Sequence, residues 1–113
     1  MTAGDVVLIR LPQTGGGTSK LRPALILAQL PGPYQSLLIC GISTQLQLLV
    51  PDWDEIFDSR QADFAATGLA RTSAARLSYL YAADAGEVVG PPGRVAEPRL
   101  LAIRTRLANA IRS

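Results

Sequence analysis

The sequence predicts a mainly β fold, a small β-barrel with a C-terminal helix, within one domain spanning residues 1–113. Short apolar runs separated by glycine- and proline-rich turns fill most of the chain, and a helical pattern begins only near its end. Hydrophobic residues make up 48% of the chain and charged residues 18%, which suits a globular domain with one core. Because no helix is predicted between the strands, we expect them to pair antiparallel.

Three strands are predicted in the first half of the chain. Residues 6–11 form the first, and the glycine-rich residues 15–19 then predict a flexible loop. Residues 24–30 are a nearly continuous aliphatic run that predicts the second strand. Pro23 precedes it, at a position where a strand does not need a backbone N–H donor. After the turn at Pro31-Gly32-Pro33, residues 34–42 form the third strand, and residues 46–50 extend it or begin a fourth.

The second half predicts shorter strands and then a helix. Residues 52–66 are polar and acidic, and we interpret them as a loop containing a helical turn. Residues 69–80 contain one or two strands, and residues 87–90 form a short last strand before Pro91-Pro92-Gly93 breaks the chain. From Glu97 the pattern is helical, with Pro98 in the first turn and apolar residues three and four apart: Leu100, Ile103, Leu107 and Ile111.

The composition excludes several kinds of chemistry. There is no histidine, so the usual general base for a Ser or Cys nucleophile and the commonest zinc ligand are both missing. The single cysteine, Cys40, lies in an apolar run and is predicted to be a reduced, buried packing residue. We find no signal peptide and no apolar run long enough to span a bilayer, which predicts a cytoplasmic protein.

The net charge of +2 is unevenly distributed. Residues 52–63 carry five acids against one base, a net charge of −4, whereas residues 64–113 carry seven arginines against three acids, a net charge of +4. Ten of the eleven basic residues are arginine, the side chain suited to bidentate phosphate contacts. This bias mildly favours a nucleic-acid partner.

Four segments, in this order, resemble the MazF/PemK family of bacterial toxins over roughly residues 4–112. They are Gly4-Asp5-Val6-Val7-Leu8, Arg22-Pro23-Ala24-Leu25-Ile26-Leu27, Ile42-Ser43-Thr44-Gln45 and, less tightly, Gly68-Leu69-Ala70-Arg71-Thr72-Ser73-Ala74-Ala75-Arg76-Leu77. The resemblance implies a Src-homology-3-like barrel, a homodimer, a small cognate antitoxin, and metal-independent cleavage of single-stranded RNA (mRNA) by attack of its own 2′-hydroxyl. It implies no cofactor and no metal.

The resemblance also implies the catalytic residues, Arg22 and Ser43. Internal attack on a phosphodiester builds negative charge on the non-bridging oxygens, which a fixed guanidinium and a neighbouring hydroxyl can stabilise. Each residue has an alternative interpretation. Arg22 would otherwise be a solvated charge at a strand edge, and Ser43 with Thr44 would begin a turn in which hydroxyls cap backbone groups.

The predicted RNA-binding residues are Lys20, Thr44, Gln45, Arg76 and Ser78. Arg76 matches a basic position that some family members use for RNA contact or catalysis. Here it is expected to contact RNA phosphate or to form a structural ion pair. Two residues later those members carry an acid, whereas this chain has Ser78. The missing acid and the absence of histidine keep one alternative open, a non-enzymatic barrel that binds an antitoxin-like peptide or another protein such as gyrase. A generic RNA-binding barrel is a third alternative, which the weakly basic composition and the lack of an aromatic stripe disfavour.

Other charged and aromatic groups have simpler interpretations. The acids at 52, 54, 55 and 58 match no calcium-loop spacing and are predicted to form a solvated turn. Trp53 and Phe57, four residues apart, are predicted to face the core. The helix arginines are predicted to form a solvated polar face: Arg99, Arg104, Arg106 and Arg112.

Overall fold

Six strands and one long helix make up the fold in the computed structural model, which describes residues 1–11 and 20–113. In chain order they are β1 (Asp5–Leu11), β2 (Lys20–Gln29), β3 (Ser36–Ser43), β4 (Glu55–Phe57), β5 (Ser73–Asp84), β6 (Val88–Arg94) and the helix α1 (Glu97–Arg112). The strands form one antiparallel sheet in the order β4-β5-β3-β2-β1-β6. The predicted mainly β class with a C-terminal helix is confirmed.

The second strand begins earlier than predicted. The run from Ala24 was expected to start the strand behind Pro23, whereas β2 starts at Lys20 and contains Arg22 and Pro23. Pro23 pairs with Leu8 of β1, while the pairing with β3 starts only at Ala24. Arg22 therefore lies within a regular strand. The predicted glycine-rich loop before it lies outside the described residues.

Residues 46–50 were predicted to be a strand, and this is wrong. They contain a 3-10 turn, Leu46–Leu48, followed by a loop. Side chains supply the hydrogen bonds that a strand partner would otherwise make: the Gln45 N–H donates to Ser43 Oγ (3.0 Å) and the Val50 N–H donates to Asp54 Oδ2 (2.9 Å). The chain can therefore turn away from the sheet here without losing those bonds.

The position before β5 requires a glycine, because the backbone of β6 passes very close to it. Gly68 has a φ of +72°, a value that favours glycine, and an added Cβ would lie 2.3 Å from the Pro92 carbonyl oxygen. The 3-10 turn Ala65–Thr67 thereby packs against β6. β5 follows as one strand of 12 residues, Ser73–Asp84, which is one of the two options predicted for residues 69–80 and begins four residues later.

The last strand runs through Pro91 and Pro92, where a break was predicted. Among the described strands, β6 lies at the edge of the sheet and pairs with β1 alone, so the backbone donors that prolines lack are not needed on its outer side. Helix α1 then begins at Glu97 with a proline in its first turn, as predicted. None of the helices in the described part of the chain has the length and apolarity of a bilayer-spanning segment.

The sheet carries a buried cluster on each face. Neighbouring residues of β2 alternate between them: Leu25 and Leu27 belong to the cluster that contains the helix residues, and Ala24 and Ile26 belong to the other. The helix buries Leu100, Ile103 and Leu107, as its spacing predicts, whereas Ile111 is 74% exposed. Phe57 is buried and Trp53 packs against the same cluster, which confirms that both face the core.

Candidate active site

The two predicted catalytic residues lie at the same end of the sheet on neighbouring strands. β2 pairs with β3 in a register that sets Ala24 against Gly41. Arg22 and Ser43, the last residue of β3, each lie two residues beyond that pair in the same direction along the sheet. Residues two apart along a strand project from the same face, so Arg22 shares a face with Ala24, and Ser43 with Gly41. The two side chains therefore lie on one face at one end of the sheet.

Arg22 and Ser43 differ in how firmly the protein holds them. Arg22 is exposed, and within residues 1–11 and 20–113 it has no ion-pair partner. Ser43 is half-buried, and its Oγ accepts the Gln45 N–H at 3.0 Å, so the turn predicted as an alternative does form. This bond uses a lone pair of the hydroxyl and leaves its O–H free to donate.

Three predicted RNA-binding residues lie close to this pair along the chain. Lys20 is the first residue of β2, two positions before Arg22, and is exposed. Thr44 and Gln45 follow Ser43 directly and are exposed as well. All three therefore present polar groups to solvent at the end of the sheet where Arg22 and Ser43 lie.

The other two predicted RNA-binding residues are in β5. Arg76 is only 7% exposed, and its Nε lies 3.0 Å from Asp54 Oδ2, so the ion pair named as one of its two alternatives is present. Arg76 pairs with Gly41, two residues from Ser43, and lies on the same face of the sheet. Ser78 is exposed, and its Oγ accepts the indole N–H of Trp53 at 2.9 Å.

The acidic segment was predicted to be solvated, and for two of its acids this is wrong. The Asp54 side chain is fully buried and the Glu55 side chain is 14% exposed. Each has arginine partners: Arg76 for Asp54, and Arg99 and Arg106 for Glu55. Burial of a carboxylate is tolerated when it is paired and hydrogen-bonded.

Two helix arginines predicted to be solvated instead attach the helix to the sheet. Arg99 donates to Glu55 Oε2 (2.8 Å) and Asp63 Oδ2 (2.6 Å), and Arg106 donates to Glu55 Oε1 (2.6 Å). One sequence signal could have revealed this. The segment of charge −4 and the segment of charge +4 complement each other, and these two arginines flank the apolar stripe of α1.

The single cysteine is buried, and the described residues contain no group of side chains that could hold a metal ion. Cys40 is buried, and burial raises the pKa of its thiol to about 12, with the Asp54 charge acting in the same direction. The predicted inert packing role is confirmed. Within the described residues, no three His, Cys, Asp or Glu side chains come together in a way that could hold a metal ion.

Comparison with known proteins identifies the family. The family model of PemK-like, MazF-like toxins of type II toxin-antitoxin systems matches residues 2–111. No curated protein matches the sequence. The solved structure of Mycobacterium tuberculosis toxin MazF-mt6 is similar, with a TM-score of 0.68, 18% identity and 96% of each chain covered.

Two further solved structures have the same fold. MazF from Deinococcus radiodurans has a TM-score of 0.70 at 16% identity, covering 100% of this chain and 97% of its own. An endoribonuclease in complex with its cognate antitoxin, from a mycobacterial species, has a TM-score of 0.65 at 16% identity, covering 98% and 94%. This chain belongs to the PemK-like, MazF-like toxin family of type II toxin-antitoxin systems.

Proposed function

We propose that this protein is a cytoplasmic, metal-independent endoribonuclease of a type II toxin-antitoxin system that cuts single-stranded RNA. Its single domain, residues 1–113, would place Arg22 and Ser43 on the scissile phosphate. The observation that carries the proposal is an exposed guanidinium, without an ion-pair partner in the described residues, at the same end and on the same face of the sheet as a hydroxyl on the next strand. An arginine that only stabilises the fold is usually paired with an acid, whereas the Arg22 guanidinium remains available to bind an anion.

The proposed reaction is an internal transesterification. The 2′-oxygen attacks the adjacent phosphorus, the bond from phosphorus to the 5′-oxygen breaks, and the products are a 2′,3′-cyclic phosphate and a 5′-hydroxyl. The 2′-hydroxyl proton goes to water, and the leaving oxygen takes a proton from water. Arg22 and Ser43 would stabilise the charge that develops on the non-bridging oxygens. The chain has no histidine, so the side chain whose ordinary pKa lies closest to 7 is not among the groups that could assist these transfers.

The test is cleavage of a long unstructured RNA in the presence of EDTA, with the ends of the products identified by mass spectrometry. Arg22→Ala and Ser43→Ala should each lower the cleavage rate by about 100- to 1,000-fold, the usual effect of losing one such donor. Arg104→Ala is the matched control, because Arg104 is exposed on α1, away from these strands. Full activity of Arg22→Ala would refute the site.

The proposed partners are single-stranded RNA, a small antitoxin and a second copy of the chain. Exposed apolar side chains support a protein partner near the site: Leu46 is 38% exposed, Leu48 49% and Val50 43%, all in the segment after Ser43. Apolar groups clustered on a surface often mark an interface. An antitoxin segment lying over them would also cover the proposed RNA site.

A second candidate is a binding module without nuclease activity, such as a protein- or gyrase-directed toxin. The observation in its favour is Ser78, which stands where some family members carry an acid and whose hydroxyl accepts a hydrogen bond from Trp53. Cyclic-phosphate ends among the RNA products would exclude this candidate. Tight antitoxin binding without any cleavage would favour it.

A further inference from the structure

Arg76 is a buried cation whose hydrogen-bonding capacity is not met. Its side chain is 8% exposed, and both Nε and Nη1 are buried without a hydrogen bond. The contact with Asp54 Oδ2 at 3.0 Å is close, but it lacks hydrogen-bond geometry. A guanidinium has five N–H donors, and leaving them unpaired in the interior is costly. Arg76 therefore has donors for which the described residues supply no acceptor.

Asp54 is held more firmly than the arginine it faces. Its Oδ1 accepts the Leu77 N–H at 3.0 Å and its Oδ2 accepts the Val50 N–H at 2.9 Å. Leu77 begins the β-bulge of β5, where the register against β3 shifts between the Gly41–Arg76 and Cys40–Leu80 pairs. One carboxylate thus fixes both the start of the bulge and the position of the Arg76 side chain.

The bulge places an aromatic ring over this guanidinium. The Arg76 Cζ atom lies 4.8 Å from the centroid of the Tyr79 ring, which is a cation–π distance. Tyr79 is 57% exposed, so much of its surface faces solvent. Gly41 lies beneath it, because a Cβ built on Gly41 would be in ordinary contact with the Tyr79 Cβ at 3.6 Å. Bulges commonly redirect a side chain in this way beside a functional site.

The pair of Arg76 and Tyr79 lies next to the proposed cleavage site. Arg76 is set against Gly41, and Ser43 is two residues further along β3, which corresponds to about 7 Å. A single nucleotide can bridge such a distance. An exposed ring beside a cation is also the combination on which single-stranded nucleic acids stack their bases.

We propose that Arg76 and Tyr79 form a nucleotide subsite adjacent to Arg22 and Ser43, and that Asp54 is its positioning residue. Arg76 binds the phosphate, and Tyr79 stacks on the base of the same nucleotide. Asp54 orients the guanidinium and the bulge without touching the RNA. The inference rests on the proposed function, because its ligand is single-stranded RNA.

The first experiment measures binding of a fluorescent, single-stranded RNA oligonucleotide whose riboses are 2′-O-methylated, so that cleavage is blocked. Tyr79→Ala should raise the Kd about tenfold, as the loss of one stacked base does, and Tyr79→Phe should bind like the wild type. The matched control is Tyr34→Ala, because Tyr34 is 78% exposed in the turn at the far end of β2 and β3. A Kd for Tyr79→Ala equal to that of the control overturns the inference.

The second experiment separates positioning by Asp54 from its charge. Asp54→Asn removes a negative charge near the RNA, and through electrostatics alone it would strengthen binding. A positioning role predicts weaker binding and a plot of log Kd against log salt that is shallower by about 0.7, the loss of one phosphate contact. A merely structural role would lower the melting temperature and leave this slope unchanged. Equal or tighter binding by a folded Asp54→Asn protein overturns the inference.

The wild type distinguishes failure of the inference from failure of the proposed function. A wild-type protein that does not bind the oligonucleotide overturns both. One that binds it and cuts unmodified RNA, but is insensitive to Tyr79→Ala, overturns the subsite alone. Should Asp54→Asn fail to fold, the two Tyr79 variants decide the matter, since that side chain is largely exposed.

Discussion

Arginines on the two sides of this molecule have opposite surroundings. Arg99 and Arg106 of α1 both donate to Glu55, whose side chain is 14% exposed, and join the helix to β4. Arg22 on β2 is exposed and has no ion-pair partner among the described residues. The same residue type therefore stabilises the fold in one place and remains available to a ligand in the other.

The difference lies in where the acids are. Glu55 and Asp63 of the segment 52–63, which has a net charge of −4, lie against the helix, so Arg99 and Arg106 are neutralised there. No ion pair of the described residues brings an acid to Arg22, and its positive field is left for an anion. Fixed charges that need no rearrangement are the most effective kind for stabilising a transition state.

The strongest test of this comparison is Glu55→Ala. It leaves two partly buried arginines without their shared carboxylate, and we expect the free energy of unfolding to fall by about 3 kcal/mol, the lower end of the range for breaking a buried pair. Urea denaturation followed by circular dichroism measures it. Arg22→Ala should change the same quantity by less than about 0.5 kcal/mol, because it removes an exposed side chain.

Equal losses of stability in these two variants would contradict the comparison. Glu55→Gln provides a finer control, because it keeps the shape of the side chain and one acceptor oxygen. The free energy of unfolding of Glu55→Gln should lie between that of the wild type and that of Glu55→Ala. A Glu55→Gln variant as stable as the wild type would mean that hydrogen bonding, rather than charge, holds Arg99 and Arg106.

A smaller effect is expected at Cys40, which lies in the core near Asp54. Its pKa is raised from 9.0 to about 12, chiefly by burial. A raised pKa contributes stability that is fully present below pH 9 and is lost as the pH rises from 9 toward 12. At pH 8 the native thiol should therefore react with Ellman's reagent only as fast as the protein opens, and in denaturant it should react at once. Rapid reaction of the native protein would contradict its burial.

The smallest effect is expected for the surface pair of Asp58, which is half-buried, and Arg60, whose side chain is exposed. Hydrogen bonds from the side chain and the backbone N–H of Arg60 lower the pKa of the Asp58 carboxyl from 3.8 to about 2. A lowered pKa gives stability that is present above pH 3.8 and lost as the pH falls through about 2, but solvent around the arginine screens the pair and makes the amount small. Arg60→Ala should raise this pKa toward 3.8 in an NMR titration and leave thermal stability unchanged. A measurable drop in melting temperature would contradict this.

Much of the fold follows from the sequence because short-range patterns determine it. The helix from Glu97 is predicted by the spacing of Leu100, Ile103 and Leu107, and all three are buried. The failures are of another kind. Residues 46–50 have an apolar strand pattern, yet hydrogen bonds from Ser43 and Asp54 side chains turn them away from the sheet. Such bonds depend on contacts that no local pattern contains.

The candidate site was only partly predictable for the same reason. The resemblance predicts Arg22 and Ser43, and the strands place both at one end of the sheet. The charge pattern predicts a solvated turn for Asp54, because a run of charges usually faces water. Its burial follows from two contacts distant in sequence, with Leu77 and Arg76. No sequence pattern indicates Tyr79, because only the bulge of β5 places it over a guanidinium.

The two prolines of β6 also lower the tendency of the protein to aggregate through this edge of the sheet. An exposed sheet edge with free N–H groups is a template on which other chains can add strands and begin to aggregate. At Pro91 and Pro92 the edge has no N–H to offer, so β6 is a poor starting point for such growth.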